Sequence, residues 1–343
     1  VMKFNTDKYD RYTLHSNITT NVTKWWRVRS NILFTRSVND QPYRFTSGQY
    51  DAWFYLLRWP RWYPYADYEG KPFRSAVTDI KAGNRESLTS TYLRANLGTE
   101  LNPLKNMTVN FDYTFGYVND ATKRNGGRVT AYDMFATAPF SNYKDLYGST
   151  HDRVIQQSSY TLQNIFKAYA TYKFALHEKH DFKFMAGLDA ETREALGHYS
   201  ERRGLISLNM PEIALTTGDQ YSSSTWGSFH NDFAAAGFFG RINYDFLQRY
   251  LFEFNARYDG SSRFPQGKKW AFFPSFSAGW RTSEEKFMDW ARPSLSNLKL
   301  RASWGTIGNQ DVAANSFIST MAANPSGWVI GGKEITSLGT PSV

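Results

Sequence analysis

Arginine and aromatic residues are interleaved in one stretch of the sequence where they could bind a sugar or an anion. The stretch is WFYLLRWPRWYPYADYEG at 53–70, and Pro60 and Pro64 stiffen its backbone. Flat aromatic faces stack on sugar rings, and the arginine fork pairs with carboxylate or phosphate groups. The candidate ligand contacts are Arg58, Trp59, Arg61, Trp62, Tyr63 and Tyr65. Packing of this stretch on a neighbouring element or a partner protein is the competing interpretation, and we favour it.

A second stretch, RYDGSSRF at 257–264, combines two arginines with a tyrosine and an Asp-Gly pair. Asp-Gly is typical of a turn, so Asp259 and Gly260 predict the end of a strand and the start of a loop. Two residues apart, Arg257 and Asp259 share one face of that strand. We favour a structural role, a hydrogen-bonded corner, over direct ligand contact. The residues of this corner are Arg257, Tyr258, Asp259, Gly260 and Arg263.

Residues suited to metal binding or catalysis are sparse. His177 and His180 have a spacing that suits a metal on a helix, but they lie in a predicted tight turn. Asp189, Glu191 and Arg193 recur every second residue, which predicts a charged wall rather than an acid–base pair. No G-x-S-x-G motif occurs, and cysteine is absent. We therefore predict no catalytic residue, no metal site and no cofactor.

The bulk composition favours amphipathic surfaces over a large dry core. Of 343 residues, 41% are hydrophobic and 17% are aromatic. The net charge of +9 is dispersed and forms no basic tract, so we expect no nucleic-acid partner. The longest near-apolar run, 233–240, is much shorter than the ~18–20 residues of a transmembrane helix.

Alternation of apolar and polar residues predicts the strands. At 106–117, NMTVNFDYTFGY, every second residue from Met107 to Tyr117 is apolar, which places these side chains on one face of a strand. In two strands a residue breaks the pattern, because Asn164 falls on the apolar face and Phe239 on the polar face. The predicted strands are 10–22, 25–37, 87–101, 106–119, 159–175, 181–194, 231–246, 249–259, 272–283 and 296–307.

The connections between these strands alternate in length, which favours a membrane barrel. Strands of a soluble β-sandwich usually run about 5–6 residues, whereas these reach about 10–15, enough to cross a bilayer at a tilt. We predict an all-β antiparallel transmembrane β-barrel with tight periplasmic turns and long extracellular loops. The predicted long loops are about 38–86, 120–158, 195–230, 260–271 and 308–343. Aromatic residues expected at the membrane interfaces are Trp25, Trp26, Tyr117, Tyr172, Tyr244, Tyr250 and Trp280.

Three segments carry a resemblance to a known family. They are HDFKFMAGLDAE at 180–191, RINYDFLQRYLFEFNARYDGSSRFPQGKKWAFFPSFSAGWRTSEEKFM at 241–288 and LSNLKLRASWGTIGNQ at 295–310. In this order and spacing they closely resemble SusC/RagA-type TonB-dependent outer-membrane transporters of Bacteroidota. The resemblance implies a 22-stranded barrel around an N-terminal plug, of which this chain supplies about ten strands. Residues 1–343 are then a partial barrel domain, and the plug, the TonB box and the terminal strands are expected to lie outside it.

The resemblance also implies a function and its partners. It implies active import of oligomeric nutrients through the cell outer membrane, with oligosaccharides favoured over oligopeptides. The implied partners are a SusD-like surface lipoprotein, TonB–ExbB–ExbD acting through the plug, outer-membrane lipid, and a second copy of the complex in a homodimer. A passive or adhesive barrel is one alternative. A barrel hydrolase is another, and its candidate catalytic pairs are His151 with Asp152 and His230 with Asp232.

Overall fold

The protein is built mainly of antiparallel β-strands. The computed structural model describes residues 7–42, 64–65, 67–75, 77–78, 85–126, 130–132, 143–145, 153–207, 209–218, 228–291, 294–312, 317–318, 323–330 and 333–338. Ten strands form one large sheet: β1 (Lys8–Asn21), β2 (Trp26–Pro42), β3 (Arg85–Leu104), β4 (Met107–Gly126), β5 (Arg153–Leu176), β6 (His180–Arg203), β7 (Phe229–Phe246), β8 (Tyr250–Ser261), β9 (Trp270–Arg281) and β10 (Lys299–Gly305). Three small hairpins lie apart from it: Asp67–Tyr68 with Lys71–Pro72, Thr130–Tyr132 with Tyr143–Asp145, and Ala323–Ile330 with Lys333–Leu338.

Each strand of the large sheet pairs, always antiparallel, with the strands next to it in the chain. All ten predicted strands are present, so the prediction of an all-β antiparallel fold is confirmed. Within the described residues, β1 pairs only with β2 and β10 only with β9, which leaves two open edges. Among the same residues, no helix has the length and apolar character that a membrane crossing needs.

The pairing register separates an apolar face from a polar face. One row of paired residues crosses seven strands and is apolar throughout: Met107, Tyr172, Phe184, Ile242, Phe254, Phe276 and Trp304. The row one residue away is polar throughout: Lys173, Lys183, Asn243, Glu253, Ser277 and Ser303. We call the face of the first row the outer face and the face of the second row the inner wall. Their separation follows from the period of two along a strand.

The two ends of the sheet differ in the length of their connections. The short-turn end carries the connections 22–25, 105–106, 177–179, 247–249 and 282–298. The long-loop end carries the connections 43–84, 127–152, 204–228 and 262–269. Four of the short-turn connections have two to four residues and three of the long-loop connections have 25 or more, but 282–298 (17 residues) is longer than 262–269 (8 residues). Apart from these two connections, the sheet has the asymmetry of outer-membrane barrels.

Several strands extend past their predicted ends, most of them at the long-loop end, although β3 also continues to Leu104 at the short-turn end. The strand predicted at 181–194 continues as β6 to Arg203. Its outer-face residues are apolar over 182–190 and then become polar at Thr192 and Glu194. The apolar stretch matches the roughly 9–11 residues with which a tilted strand crosses hydrocarbon. Beyond it the alternation of hydrophobicity stops, whereas backbone pairing with β5 continues to the last residue of the strand.

The two residues that break the sequence pattern both have a physical explanation. Asn164 lies on the outer face, where its Oδ1 accepts a hydrogen bond of 2.7 Å from the hydroxyl of Tyr113 on the neighbouring strand. Phe239 lies on the inner wall, where its ring contacts the cationic groups of Lys167 and Arg257 at 5.6 and 5.4 Å from the ring centroid. Each exception is therefore compensated by a partner on an adjacent strand.

Two of the short turns hold non-glycine residues in the left-handed region. His177 and Glu178 have φ values of 51° and 56°, and Leu247 and Gln248 have values of 54° and 56°. The first turn closes with a 3.3 Å bond from the Lys179 amide to the Leu176 carbonyl, and the second turn closes in the same way. His177 is thus part of a tight turn, as its sequence context predicts.

Fully buried apolar side chains are concentrated at the long-loop end. Val154 and Ile155, neighbours at the start of β5, are 0% and 3% exposed, although they point to opposite faces of the sheet. Phe73 and Ala131, which belong to the connections 43–84 and 127–152, are buried as well. Phe73 bridges to Tyr132, and the Arg74 amide donates to the Tyr132 carbonyl at 2.9 Å. The described parts of these two connections therefore pack into one structure.

A charge placed on the outer face tests this assignment of the two faces. Phe184→Arg should lower the free energy of unfolding by about 2–4 kcal/mol, because an arginine near the bilayer midplane loses its hydration. Met185→Arg, one residue further on the inner wall, should have a much smaller effect. The measurement is the unfolding free energy of the complete barrel protein in lipid vesicles. Equal losses for the two variants would contradict the assignment.

Candidate binding wall and loop corner

The inner wall of β6, β7 and β8 carries a carboxylate–guanidinium cluster centred on Arg257. The Arg257 guanidinium donates to both carboxylate oxygens of Asp259, from Nε at 3.0 Å and from Nη2 at 2.9 Å. The same Nη2 donates to Oδ1 of Asp189 on β6 at 3.0 Å. Gly237 stands between Asp189 and Asp259 in the register, and a Cβ at this position would overlap Asp259 Oδ1. The missing side chain lets Arg257 reach across β7.

The same arrangement recurs on β2, β3 and β4. Arg29 donates to Asp112 at 3.2 Å, and Gly98 lies between them in the register. A Cβ at Gly98 would again overlap the aspartate carboxylate. Both clusters belong to one row of the inner wall, which continues from Asp112 through Lys167 to Asp189. Glycine in the middle strand is thus the device by which ion pairs span three strands.

Phe239 and Gly187 form a second inner-wall feature directly beside the Arg257 cluster. The Phe239 ring lies 6.4 Å from the Tyr169 ring and within cation–π distance of Lys167 and Arg257. Gly187 sits between Tyr169 and Phe239 in the register, and a Cβ there would meet Phe239 Cζ at 2.6 Å. The absence of a side chain at Gly187 leaves the space that the phenyl ring occupies.

The RYDGSSRF segment joins the inner wall to the loop above it. Asp259 and Gly260 lie inside β8 and pair with Ala271 and Trp270, so the prediction that the turn begins at Asp-Gly is wrong. Glycine stands at this position for a steric reason and not to form a turn, since a Cβ at Gly260 would lie 2.6 Å from atoms of the Trp270 indole. Tyr258 lies on the outer face, where its ring stacks on the Trp270 ring at 5.1 Å.

The chain leaves β8 one residue later through a set of backbone and hydroxyl bonds. The Ser262 amide donates to the Ala234 carbonyl at 2.8 Å, and the Ala234 amide donates to the Ser262 hydroxyl at 3.0 Å. Arg263 then spans to the segment after β10, where its Nη1 donates to the Val312 carbonyl at 2.8 Å and to Asp311 at 3.2 Å. Its guanidinium also lies 5.1 Å from the centre of the Phe233 ring.

Near the short-turn end the inner wall forms an open recess lined by charged groups. Glu253 accepts hydrogen bonds from Asn243 at 2.7 Å and from Asn255 at 2.9 Å. Lys173 and Lys183 stand side by side in the register, and neither ammonium group has an ion pair within the described residues. Further charged residues line the same recess: Asp181, Asp245, Lys299 and Arg301.

A buried carboxylate organises the inner wall at the long-loop end. Glu201 is 7% exposed and accepts hydrogen bonds from Arg153 Nη1 at 2.7 Å and from the Tyr199 hydroxyl at 2.8 Å. Burial pushes the pKa of Glu201 up, but the bonds from Arg153 and Tyr199 outweigh it and leave that pKa lowered. Burial and the bond to Glu201 raise the pKa of Tyr199 to about 12.

The predicted ligand contacts in the first long loop are described only at Tyr65. Its side chain is 52% exposed, whereas Tyr68, three residues on, packs edge-on against Tyr132 at 5.8 Å. The other five predicted contacts lie outside the described residues: Arg58, Trp59, Arg61, Trp62 and Tyr63. Their role is neither supported nor opposed by the geometry.

The described side chains of the inner wall can bind charged and polar groups. Among them no group of three metal-ligating residues converges. His230 and Asp232 approach to 3.5 Å, and both are more than half exposed; His151 and Asp152 lie outside the described residues. The sequence pattern predicts the charged ladder of 189–193. The role of Gly98, Gly187 and Gly237, which is to leave space between side chains of the flanking strands, becomes visible only from the pairing register. A glycine on the polar face of a strand pattern is the signal that could have found them.

Comparison with known proteins relates this wall to transporters. The chain is 31% identical to the TonB-dependent receptor SusC of Bacteroides thetaiotaomicron over 207 residues. The aligned part is 60% of this chain and 19% of SusC. It is 26% identical to the TonB-dependent receptor P26 of Formosa agariphila over 252 residues. The aligned part is 71% of this chain and 23% of that receptor. No protein-family model matches.

Solved structures show the same fold. The RagAB peptide importer in its closed-closed state superposes with a TM-score of 0.75 at 20% identity, over 97% of this chain and 36% of the solved chain. The resemblance to SusC/RagA-type TonB-dependent outer-membrane transporters is confirmed. The outer-membrane location and the barrel architecture predicted from the sequence are confirmed with it. The chain spans about a fifth of the curated relatives' length and about a third of the solved chains.

A side chain added at Gly187 should disturb the inner wall. Gly187→Ala places a Cβ 2.5 Å from Tyr169 Cβ and 2.6 Å from the Ala168 carbonyl oxygen, and neither position can yield without moving β5. We expect the unfolding free energy to fall by about 1–3 kcal/mol. Gly240→Ala is the matched control on β7, since the nearest atom is 3.7 Å away. Thermal and denaturant unfolding of the complete protein in nanodiscs measure both, and a null effect of Gly187→Ala would refute the steric account.

Removing the charge of Glu201 should loosen the long-loop end locally. Glu201→Gln removes the buried carboxylate charge that accepts hydrogen bonds from Arg153 and Tyr199, at a cost of about 1–3 kcal/mol. Because the pKa of Glu201 is lowered by folding, its contribution is present above the ordinary glutamate pKa and lost as pH falls through the folded value. The hydrogen-exchange protection factors of amides across 153–159 and 195–203, which correct for the intrinsic pH dependence of exchange, should therefore fall in acid for the parent and lose this acid dependence in the variant. Asp232→Asn, at an exposed site, is the control.

Proposed function

We propose that this chain is the wall of an outer-membrane importer that takes up oligomeric nutrients with energy from TonB. The observation that carries the proposal is the 31% identity to SusC together with a continuous inner wall of charged and polar side chains. In a barrel of this class that wall faces water and the transported molecule. Oligosaccharides are the favoured substrates over oligopeptides, although the structural neighbour RagAB is described as a peptide importer.

The open edges support a barrel larger than ten strands. An unpaired backbone N–H or C=O costs several kcal/mol in hydrocarbon, so β1 and β10 each need another strand beside them. We infer that residues 1–343 are a partial barrel domain and that the complete transporter has about 22 strands, a width that accommodates a plug. The TonB–ExbB–ExbD machinery then acts through that plug.

The packed structure at the long-loop end supports a partner at the mouth of the barrel. Parts of the connections 43–84 and 127–152 bury Phe73 and Ala131 together, which gives the rim a defined shape. We infer that this rim receives a SusD-like surface lipoprotein and that the complex dimerises. The exposed ring of Tyr65 and the arginines near it are assigned to ligand or lipoprotein contact.

The corner formed by Arg257, Tyr258, Asp259, Gly260 and Arg263 is assigned a structural role. Arg257 donates hydrogen bonds to Asp189 and Asp259, and Arg263 donates to the segment after β10. A guanidinium already held by two carboxylates, as Arg257 is, is a poorer candidate for binding substrate than one without a counter-charge. Together, Arg257 and Arg263 hold the loop 262–269 in a fixed position relative to the wall.

Uptake by living cells with and without TonB tests the function. Cells carrying the complete gene and its lipoprotein partner should accumulate fluorescent oligosaccharides only when TonB is present, because a plugged barrel conducts nothing without energy. Retained uptake in the TonB-deficient strain would establish the passive-barrel alternative. In the same assay a panel of oligopeptides decides the substrate class. Hydrolysis of either panel by the purified protein would instead favour the hydrolase alternative.

The double variant Arg58→Ala with Arg61→Ala tests, in the same uptake assay, whether the first long loop contacts the ligand. If the loop touches the ligand, each lost charge-assisted bond weakens affinity by about tenfold. Lys24→Ala, in a short connection at the opposite end of the sheet, is the matched loss of a positive charge.

A further inference from the structure

The last short connection, 282–298, is built differently from the others. It contains two 3-10 helices, Thr282–Glu284 and Lys286–Ala291, where the remaining short connections are simple turns. Phe287 and Trp290 in the second helix are 59% and 79% exposed. Residues three apart lie on the same side of a 3-10 helix, so these two rings form a single apolar edge. We call Phe287 and Trp290 the aromatic edge.

The aromatic edge is continuous with the lipid-facing side of the sheet. The Phe287 ring lies 6.2 Å from the ring of Trp280. Trp280 pairs with Tyr250, and Tyr250 pairs with Phe246, in an aromatic row on the outer face at the short-turn end. Aromatic rows at this position sit at the boundary between hydrocarbon and headgroups. The connection therefore leaves the sheet on its lipid side.

One carboxylate fixes the connection against the strands. Glu285 Oε1 accepts hydrogen bonds from the Tyr250 hydroxyl at 2.6 Å and from Trp280 Nε1 at 3.1 Å, and Oε2 lies 3.5 Å from Arg249. The bond from Tyr250, followed by that from Trp280, lowers the pKa of Glu285, which is therefore ionised at neutral pH. The exposure of the aromatic edge thus belongs to a defined conformation and not to a loose loop.

Positive charge accompanies the aromatic residues around this end of the sheet. Every short connection contributes at least one basic residue, which sets a row of cations beside the aromatic row. These residues are Lys24, Lys105, Lys179, Arg249 and Lys286. Within 282–291 itself Glu284, Glu285 and Asp289 outnumber Lys286. The match to a phospholipid surface therefore comes from the aromatic row and from the cations of the neighbouring connections, since lipid phosphates lie at the same depth as interfacial aromatic rings.

We propose that residues 282–291 are an interfacial anchor, in which the aromatic edge enters the phospholipid leaflet on the short-turn side and Lys286 lies among the headgroup phosphates. The occupant of the aromatic edge is lipid and not a protein partner, because the edge extends a surface that already faces lipid. The inference rests on the membrane location alone and is independent of what the transporter carries.

Site-directed spin labelling tests the anchor, and the absence of cysteine from these 343 residues makes it direct. Single cysteines replace Phe287, Trp290 or, as a matched exposed control in the same connection, Glu284. The complete transporter, freed of any other cysteine, is placed in phospholipid nanodiscs. We expect labels at Phe287→Cys and Trp290→Cys to collide several-fold more with lipid-soluble oxygen than with a water-soluble nickel chelate, and Glu284→Cys to show the reverse.

Two results would overturn the proposal. Labels at the aromatic edge as accessible to the nickel chelate as the Glu284→Cys label would place the connection in water. Labels shielded from both reagents would mean that protein covers the edge. Thermal unfolding of Phe287→Ala with Trp290→Ala gives a second readout, since loss of a lipid anchor lowers the midpoint in nanodiscs more than in detergent. Normal uptake by these variants would leave the transport proposal intact whichever result is obtained.

Discussion

A strand that crosses hydrocarbon has to satisfy its whole backbone through neighbouring strands, because lipid offers no other hydrogen-bond partner. The eight strands from β2 to β9 meet this requirement by pairing on both sides. Continuous pairing in turn fixes every side chain, since a slip by one residue would exchange the two faces. The apolar row that includes Phe184 and Phe254 therefore dictates that Lys183 and Glu253 face inward. The apolar residues of the outer face therefore determine which side chains form the inner wall.

Within this fixed register, glycine determines which inner-wall groups can meet. Side chains on adjacent strands lie close together, but those two strands apart are separated by the residue between them. Gly237 removes that obstacle between Asp189 and Asp259, and Gly98 removes it between Arg29 and Asp112. The ion pairs tie three strands together without breaking the backbone ladder. An exposed ion pair is worth little by itself, so their effect is mainly to orient the wall.

The period of two was sufficient to predict all ten strands and both faces, because burial against lipid imposes it on the sequence. It could not predict how far β6 extends, since beyond Thr192 the selection for apolar residues ends while pairing continues. It placed Phe239 on the polar face but could not predict its partners Lys167 and Arg257, which come from other strands. The Asp-Gly rule failed at Gly260 because contact with Trp270, a tertiary feature, is what requires glycine there.

The inner wall also differs in electrostatics between its two ends. At the long-loop end Arg153 is bonded to the buried Glu201, and midway Arg257 is bonded to Asp189 and Asp259. At the short-turn end Lys173 and Lys183 have no ion pair among the described residues. Charges that are already paired hold a wall in place, whereas neighbouring unpaired ammonium groups need water or carboxylates beside them. These lysines share their recess with the carboxylates of Asp181, Asp245 and Glu253, so the wall at that end presents both signs of charge.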